Sequence, residues 1–239
     1  IEKNEPFIFY LTSGSDKKID KNKLCLRDKE SLKTLKSLGV RQKNIFFIGR
    51  KLEIKNNNLY LDAKKVISFL EDFFLKKFKP SAIYTHSWEG GHEDHDTCNL
   101  IARRLRKKFN IKNCFQFSQY NSFNTSLIFF KVFNPIDKNN GKKVFTNLLN
   151  RIRFIRLLFN YKSQIKIWFG LYPFIINHYL FKGFNFIENL ETSNKIIKPH
   201  SGKLLYEKRN FCKFSTFKKK NKFFIKIKVF NFYKTSLFV

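Results

Sequence analysis

AIYTHSWEGGHEDHD, residues 82–96, reads as a short apolar strand, a polar loop with two glycines, and the opening of a helix. Ala82 to Thr85 is the strand. From about Asp94 to Phe109 the apolar residues Ile101, Leu105 and Phe109 recur at helical spacing and share one face. A strand that feeds a helix through a polar loop is the repeating unit of an open α/β sheet, and such sheets bind ligands at the carboxyl ends of their strands. Position alone therefore marks this loop as a candidate site.

Toward the N-terminus the same unit recurs. Pro6 to Leu11 is a continuous apolar run closed by Thr12, Ser13, Gly14 and Ser15, the pattern of a buried parallel strand entering a polar loop. Arg27 to Leu38 carries Leu32, Leu35 and Leu38 at helical spacing and stops at Gly39. Asn44 to Gly49 reads as a second strand. Asp62 to Phe78 is a helix with Ile67, Leu70, Phe74 and Phe78 on one face, and Pro80 closes it. Toward the C-terminus, Cys114 to Ser118 and Ser126 to Phe133 read as a fourth and a fifth strand, Pro135 to Gly141 as a turn, and Lys142 to Phe159 as a basic helix. Ile165 to Phe181 is apolar but broken by Lys166, Asn177 and His178 and is short for a membrane span. It reads as a buried helix, with a membrane-surface helix as the alternative. Phe223 to Phe230 alternates Lys with apolar residues like an edge strand. The expected fold is α/β, a doubly wound, Rossmann-like parallel sheet with helices on both faces. Residues 1–160 form its core, and 161–239 complete the domain with a basic, aromatic helical and β extension.

Composition limits the function. Against 18 acidic residues stand 48 Lys and Arg, a net charge of +30, yet 43% of residues are hydrophobic and 31 are Phe. So much apolar surface collapses into a core, which excludes a disordered chain. Ten of the basic residues are Arg, and Lys is scattered through every segment. A nucleic-acid face concentrates Arg, so the excess reads as a solvated surface and nucleic acid as an unlikely partner. Cys25, Cys98, Cys114 and Cys212 are widely spaced and form no disulfide framework. With no signal-peptide pattern, the expected location is cytoplasmic, at the membrane surface if the aromatic C-terminal part reaches it.

The loop at 86–96 holds three of the five His. His92 and His95 lie three apart, so on a helix they share a face and can reach one reaction centre. Imidazole is a common zinc ligand, but a catalytic zinc takes three protein ligands and keeps one position for water. Two His do not complete such a site. Surface His capped by the neighbouring acids is the alternative.

The run Thr85-His-Ser-Trp-Glu-Gly-Gly-His-Glu-Asp-His-Asp96 resembles the His-x-x-His signature of the PIG-L/LmbE-like zinc-dependent N-deacetylases. Thr12-Ser13-Gly14 is similar to that family's Thr-x-Gly loop, Arg27-x-x-Glu30 with Leu38-Gly39-Val40 to its Arg-x-x-Glu helix, and Tyr161-Lys-Ser-Gln164 to a variant of its His-x-Ser-Gln motif. The order of these motifs along residues 6–165 is the strong part of the likeness. The resemblance implies that His95 is a zinc ligand, although another divalent ion is possible. It implies that His92 stabilises the tetrahedral intermediate or donates a proton, and that Asp94 orients His92 or serves as a helix N-terminal acid. Arg27 is then part of the substrate rim or a salt-bridge partner of Glu30. Trp88 and Glu89 would line the entrance, the indole stacking on a sugar face. His200 would lie over the site or in a solvent-exposed loop, with His86 beside the metal rather than on it and His178 in the core.

One departure matters. The family's first motif, His-Pro-Asp-Asp-Glu, brings two further zinc ligands and the Asp general base at the end of its first strand, and this sequence does not contain it. The chain starts at Ile1 and has no Met, so an N-terminally shortened sheet lacking that first strand is expected. The chain as it stands is then expected to be inactive, while the full-length protein hydrolyses the N-acetyl amide of an amino-sugar conjugate or glycolipid. The competing reading is a non-catalytic basic protein that holds anionic lipid or nucleic acid.

Overall fold

The computed structural model describes residues 5–15, 21–78, 80–126, 129–139, 141–165, 170–193 and 195–224. Its first half follows the expected alternation: β1 (Ile8–Tyr10), α1 (Lys21–Ser37), β2 (Ile45–Phe47), α2 (Leu59–Lys76), β3 (Ala82–His86), α3 (Glu93–Phe109) and β4 (Asn113–Phe117). β1 runs parallel to β2 with Ile8 opposite Ile45, and β3 parallel to β4 with Ala82 opposite Asn113. α3 is well terminated. The Nδ1 of His92 accepts the backbone N–H of Asp94 at its start, and Asn110 takes the left-handed conformation at its end, with φ 49°. Glu93, Asp94 and Asp96 fill its first turn and Arg106, Lys107 and Lys108 its last, each sign facing the helix charge it complements.

The second half departs from a doubly wound parallel sheet. β5 (Tyr120–Asn121) and β6 (Lys131–Val132) make a small antiparallel pair. β7 (Gly141–Phe145) leads into α4 (Leu148–Leu158), and α5 (Tyr172–Asn177) runs into a wide π-helical turn at His178–Lys182. β8 (Phe184–Asn189) then inserts antiparallel between β4 and β7, giving the order β3-β4-β8-β7. The sheet is therefore mixed. Lys142 to Phe145, expected to be helical, are extended because their apolar residues show no helical stripe, and Asn147 begins α4 only afterwards, its side chain accepting the N–H of Asn150. Of the expected strand at 126–133 only Lys131 and Val132 pair, while residues 127 and 128 lie outside the described residues. In the apolar run from 165, Ile165 is helical, 166–169 lie outside the described residues, and a further helix spans Tyr172–Asn177. Of the expected strand at 223–230, Phe223 and Phe224 sit in a 3-10 turn and the rest lies outside the described residues. No helix among the described residues is long and apolar enough to cross a membrane.

The core forms where α2 lays Val66, Ile67, Leu70 and Phe74 against Leu100, Ile101 and Leu105 of α3. Leu204, Tyr206 and Phe217, the last on α6 (Phe214–Lys220), close over it and are fully buried. Between β1 and β3 the packing opens. β1 pairs with β2 and β3 with β4, and among the described residues no strand lies against the facing edge of either. A cavity of about 1220 Å³ runs between those edges, walled by Phe9, Tyr10, Ile83 and Thr85 and floored by Phe74, Ile101 and Leu105.

Candidate active site

The cavity ends where β3 delivers His86 and the loop 87–92 turns into α3. Two carboxylates fix that loop. Glu89 is buried and accepts four hydrogen bonds, from the Ser118 hydroxyl (2.6 Å), the N–H groups of Gln119 (2.7 Å) and Tyr120 (3.0 Å), and the Asn121 amide (3.0 Å). Asp96 reaches back from α3 to accept the N–H groups of Glu89 and Gly90, both at 3.2 Å. At Gly91 a Cβ would run into the carbonyl oxygen of Tyr120, so no larger residue lets the two loops approach this closely.

On this platform three imidazoles converge. The His86 and His95 rings stack with centroids 4.1 Å apart, His92 lies 5.0 Å from His95, and Tyr120 meets His95 edge-on at 5.4 Å. All three His line the cavity. The Nδ1 atoms of His86 and His95 are buried without a hydrogen-bond partner. Burial, and then the neighbouring His92, push the His86 pKa down to about 4. Burial, followed by His86 and His92, holds His95 well below its ordinary value. Both are thus neutral at pH 7, the form that ligates metals. His92 accepts a backbone N–H through Nδ1, so its ring proton sits on Nε2 as a hydrogen-bond donor.

The donor set fits a metal in part. An unsatisfied, buried, neutral imidazole is what a zinc ligand looks like before metal binds, yet among the described residues no three His, Cys, Asp or Glu side chains converge as a complete site. The nearby carboxylates are engaged elsewhere or neutral. Asp94 accepts the N–H groups of Asn57 (2.8 Å) and Leu59 (3.0 Å) and so anchors the start of α2. Glu93 is buried with neither oxygen hydrogen-bonded, one of them 3.6 Å from His92 Nδ1, and burial pushes its pKa up to about 8.

Across the cavity stands Arg27, only 7% exposed, its side chain packed at Gly14 and its Nε without a partner. It does not bridge to Glu30, which accepts instead from the N–H (2.8 Å) and hydroxyl (2.6 Å) of Ser163. That link brings Tyr161 and Gln164 to the cavity wall beside Arg27. Four segments far apart in sequence, at 12–14, 27, 86–95 and 161–164, thus face one space.

Three expected site residues lie elsewhere. Trp88 donates its indole N–H to the carbonyl of Ile197 (2.9 Å) and packs on Phe214 and Phe217, so it lies half-buried against the core and does not line the cavity. Glu89 is the loop clamp described above. His200 is nearly buried, its Nδ1 2.7 Å from the Ser201 carbonyl oxygen and its ring beside Phe123, and it does not line the cavity. Conversely His86, which reads from sequence as a neighbour, stacks directly on His95. Its place as the last residue of β3, just ahead of the loop, was the signal for that.

Residues 2–105 match the family model PIG-L, described as GlcNAc-PI de-N-acetylase. No curated protein and no solved structure matches the chain. The matched segment runs from ahead of β1 to Leu105, just short of the last turn of α3, and carries Arg27 and all three clustered His. The likeness to PIG-L thus covers residues 2–105, less than half of the 239, and suggests a deacetylase-type function in general.

Proposed function

We propose that the chain provides most of the active site of a metal-dependent N-deacetylase acting on an amino-sugar conjugate, with zinc as the first candidate for the metal. The carrying observation is the stack of neutral imidazoles, two with unsatisfied Nδ1 atoms, at the end of the cavity between β1 and β3. His95 would be the ligand from α3. A divalent ion there supplies Lewis acidity toward an amide carbonyl and a nucleophilic water at neutral pH. This chain's own residues do the rest. His92 offers its Nε2–H to the oxygen on which charge develops, and its fixed place at the helix start spares reorganisation. Arg27 presents a guanidinium from the opposite wall, suited to an anionic or hydroxyl-rich part of the substrate. Glu89 and Asp96 hold the loop, and Asp94, between His92 and His95, ties the start of α3 to the start of α2.

On this reading the remaining ligands and the general base would come from a further strand in the space between β1 and β3, the edges of two parallel pairs above an apolar floor. The 239 residues on their own should therefore hydrolyse little or nothing. The competing reading, a basic protein binding an anionic ligand, draws on the charge of +30 and the incomplete donor set. Calorimetric zinc titration of the chain and of His95→Ala separates the two. A deacetylase scaffold binds zinc weakly through its imidazoles and loses that binding in the variant. A purely basic binding protein takes up no zinc, and its affinity for an anionic ligand falls steeply with salt while ignoring the substitution.

A further inference from the structure

Far from the histidine cluster, β7, α4 and the turn after α5 build a surface of a different kind. α4 has no buried residue, although its sequence, LLNRIRFIRLL, is mostly Leu, Ile, Phe and Arg. Leu149 and Phe181 are each 80% exposed, Phe145 71% and Leu148 58%. The backbone draws these four together. Thr146 donates its N–H to the Gly183 carbonyl at 2.9 Å, and Arg151 donates its Nε–H to the Thr146 carbonyl at 2.6 Å, so the segment 145–149 lies beside 181–183. The position of Gly183 is specific. Its φ is +63°, and the Arg151 guanidinium fills the place a Cβ would take.

The charge around this tip has one sign. Between Asp137 and Glu188 the sequence has no acidic residue and nine Lys or Arg. Lys142 and Lys143 stand on β7, Arg151, Arg153 and Arg156 on α4, and Lys182 in the turn. Large apolar side chains left in water, on a stretch of sequence whose charged residues are all Lys or Arg, match the two layers of an anionic bilayer surface: acyl boundary inside, phosphate and carboxylate headgroups outside. A protein partner would need its own apolar pocket ringed by acids. A bilayer offers both as a continuous surface.

We propose that the Phe145–Leu149 and Phe181 tip docks onto an anionic membrane surface, its four exposed apolar side chains entering the headgroup boundary and its Lys and Arg collar resting on the lipid charges. The inference stands on its own observations and does not require the deacetylase reading.

The test is vesicle co-sedimentation of the whole chain with phosphatidylcholine alone and with phosphatidylcholine containing phosphatidylserine. The wild type should sediment with the anionic vesicles and much less with the neutral ones. Leu149→Ser with Phe181→Ser, at positions too exposed to disturb the core, should weaken that binding about tenfold or more while circular dichroism stays unchanged. Lys142→Glu with Lys182→Glu should weaken it in a salt-dependent way. Failure to bind anionic vesicles, as a tip made for a protein partner would give, overturns the proposal. So does binding that survives the double Ser change intact, since the charge alone would then account for it.

Discussion

An imidazole nitrogen buried without a partner forfeits a hydrogen bond it had in water, and His86 and His95, their rings stacked 4.1 Å apart, each keep one. In the proposed site that arrangement would hold a metal, while the surrounding carboxylates hold the structure. Asp94→Ala should then cost about 1–3 kcal/mol of stability by stranding two backbone donors at the start of α2, read as a lower Tm. Asp96 tests the electrostatics. Burial raises its pKa to about 8, against the lowering effect of the Gly90 and Glu89 N–H groups. A raised folded pKa means a contribution to stability present below the unfolded value near 4 and lost as pH climbs through about 8. Asp96→Asn should remove that dependence, so its Tm advantage over wild type should grow from pH 5 to pH 9. An unchanged difference would mean that the carboxylate is ionised throughout. At this scale the spacing of His92 and His95 was legible in the sequence. The role of Glu89 was not, because its four donors sit some 30 residues away and meet it only in the folded chain. Trp88 misled in the same way, since its packing partners are Phe214 and Phe217.

At the scale of elements, β1 through β3 were legible because each apolar run is followed by a striped helix, the signature of a parallel unit. β7 and β8 were not. Lys142 and Lys143 on an exposed edge resemble the polar face of a helix, and the alternation in FNFIEN follows an apolar run that hides its beginning. Only antiparallel pairing with β4 and β7 makes β8 a strand, and that is a long-range fact. The caps carry a prediction here. Asn147→Ala removes the acceptor for the Asn150 N–H and should destabilise α4 by about 0.5–2 kcal/mol. Amide exchange should speed up in α4 and leave α2 and α3 unaffected. Equal acceleration in all three helices would show that α4 does not open independently.

Over the whole molecule, the family match ends at residue 105 but the packing does not. Leu204, Tyr206 and Phe217 lie on the face made by α2 and α3, so residues 195–224 close the same core that the first half opens. Phe217→Ala should accordingly cost about 3–5 kcal/mol, enough to unfold a domain of ordinary stability, as thermal melting would show. The gap between β1 and β3 belongs to this scale too, for it takes two separate sheets to frame it and the histidine cluster to give it a direction. The central claim is that His95 and its neighbours become an active site when a strand bearing the missing ligands fills that gap. The most direct test is amine release from an N-acetylglucosamine conjugate, with zinc present. The chain extended upstream by a strand ending in His-Pro-Asp-Asp-Glu would be compared with the same protein carrying His95→Ala and with the 239 residues alone. Turnover by the extended wild type, abolished in the other two, is the predicted result. Turnover that survives His95→Ala, or that the 239 residues sustain unaided, would contradict it.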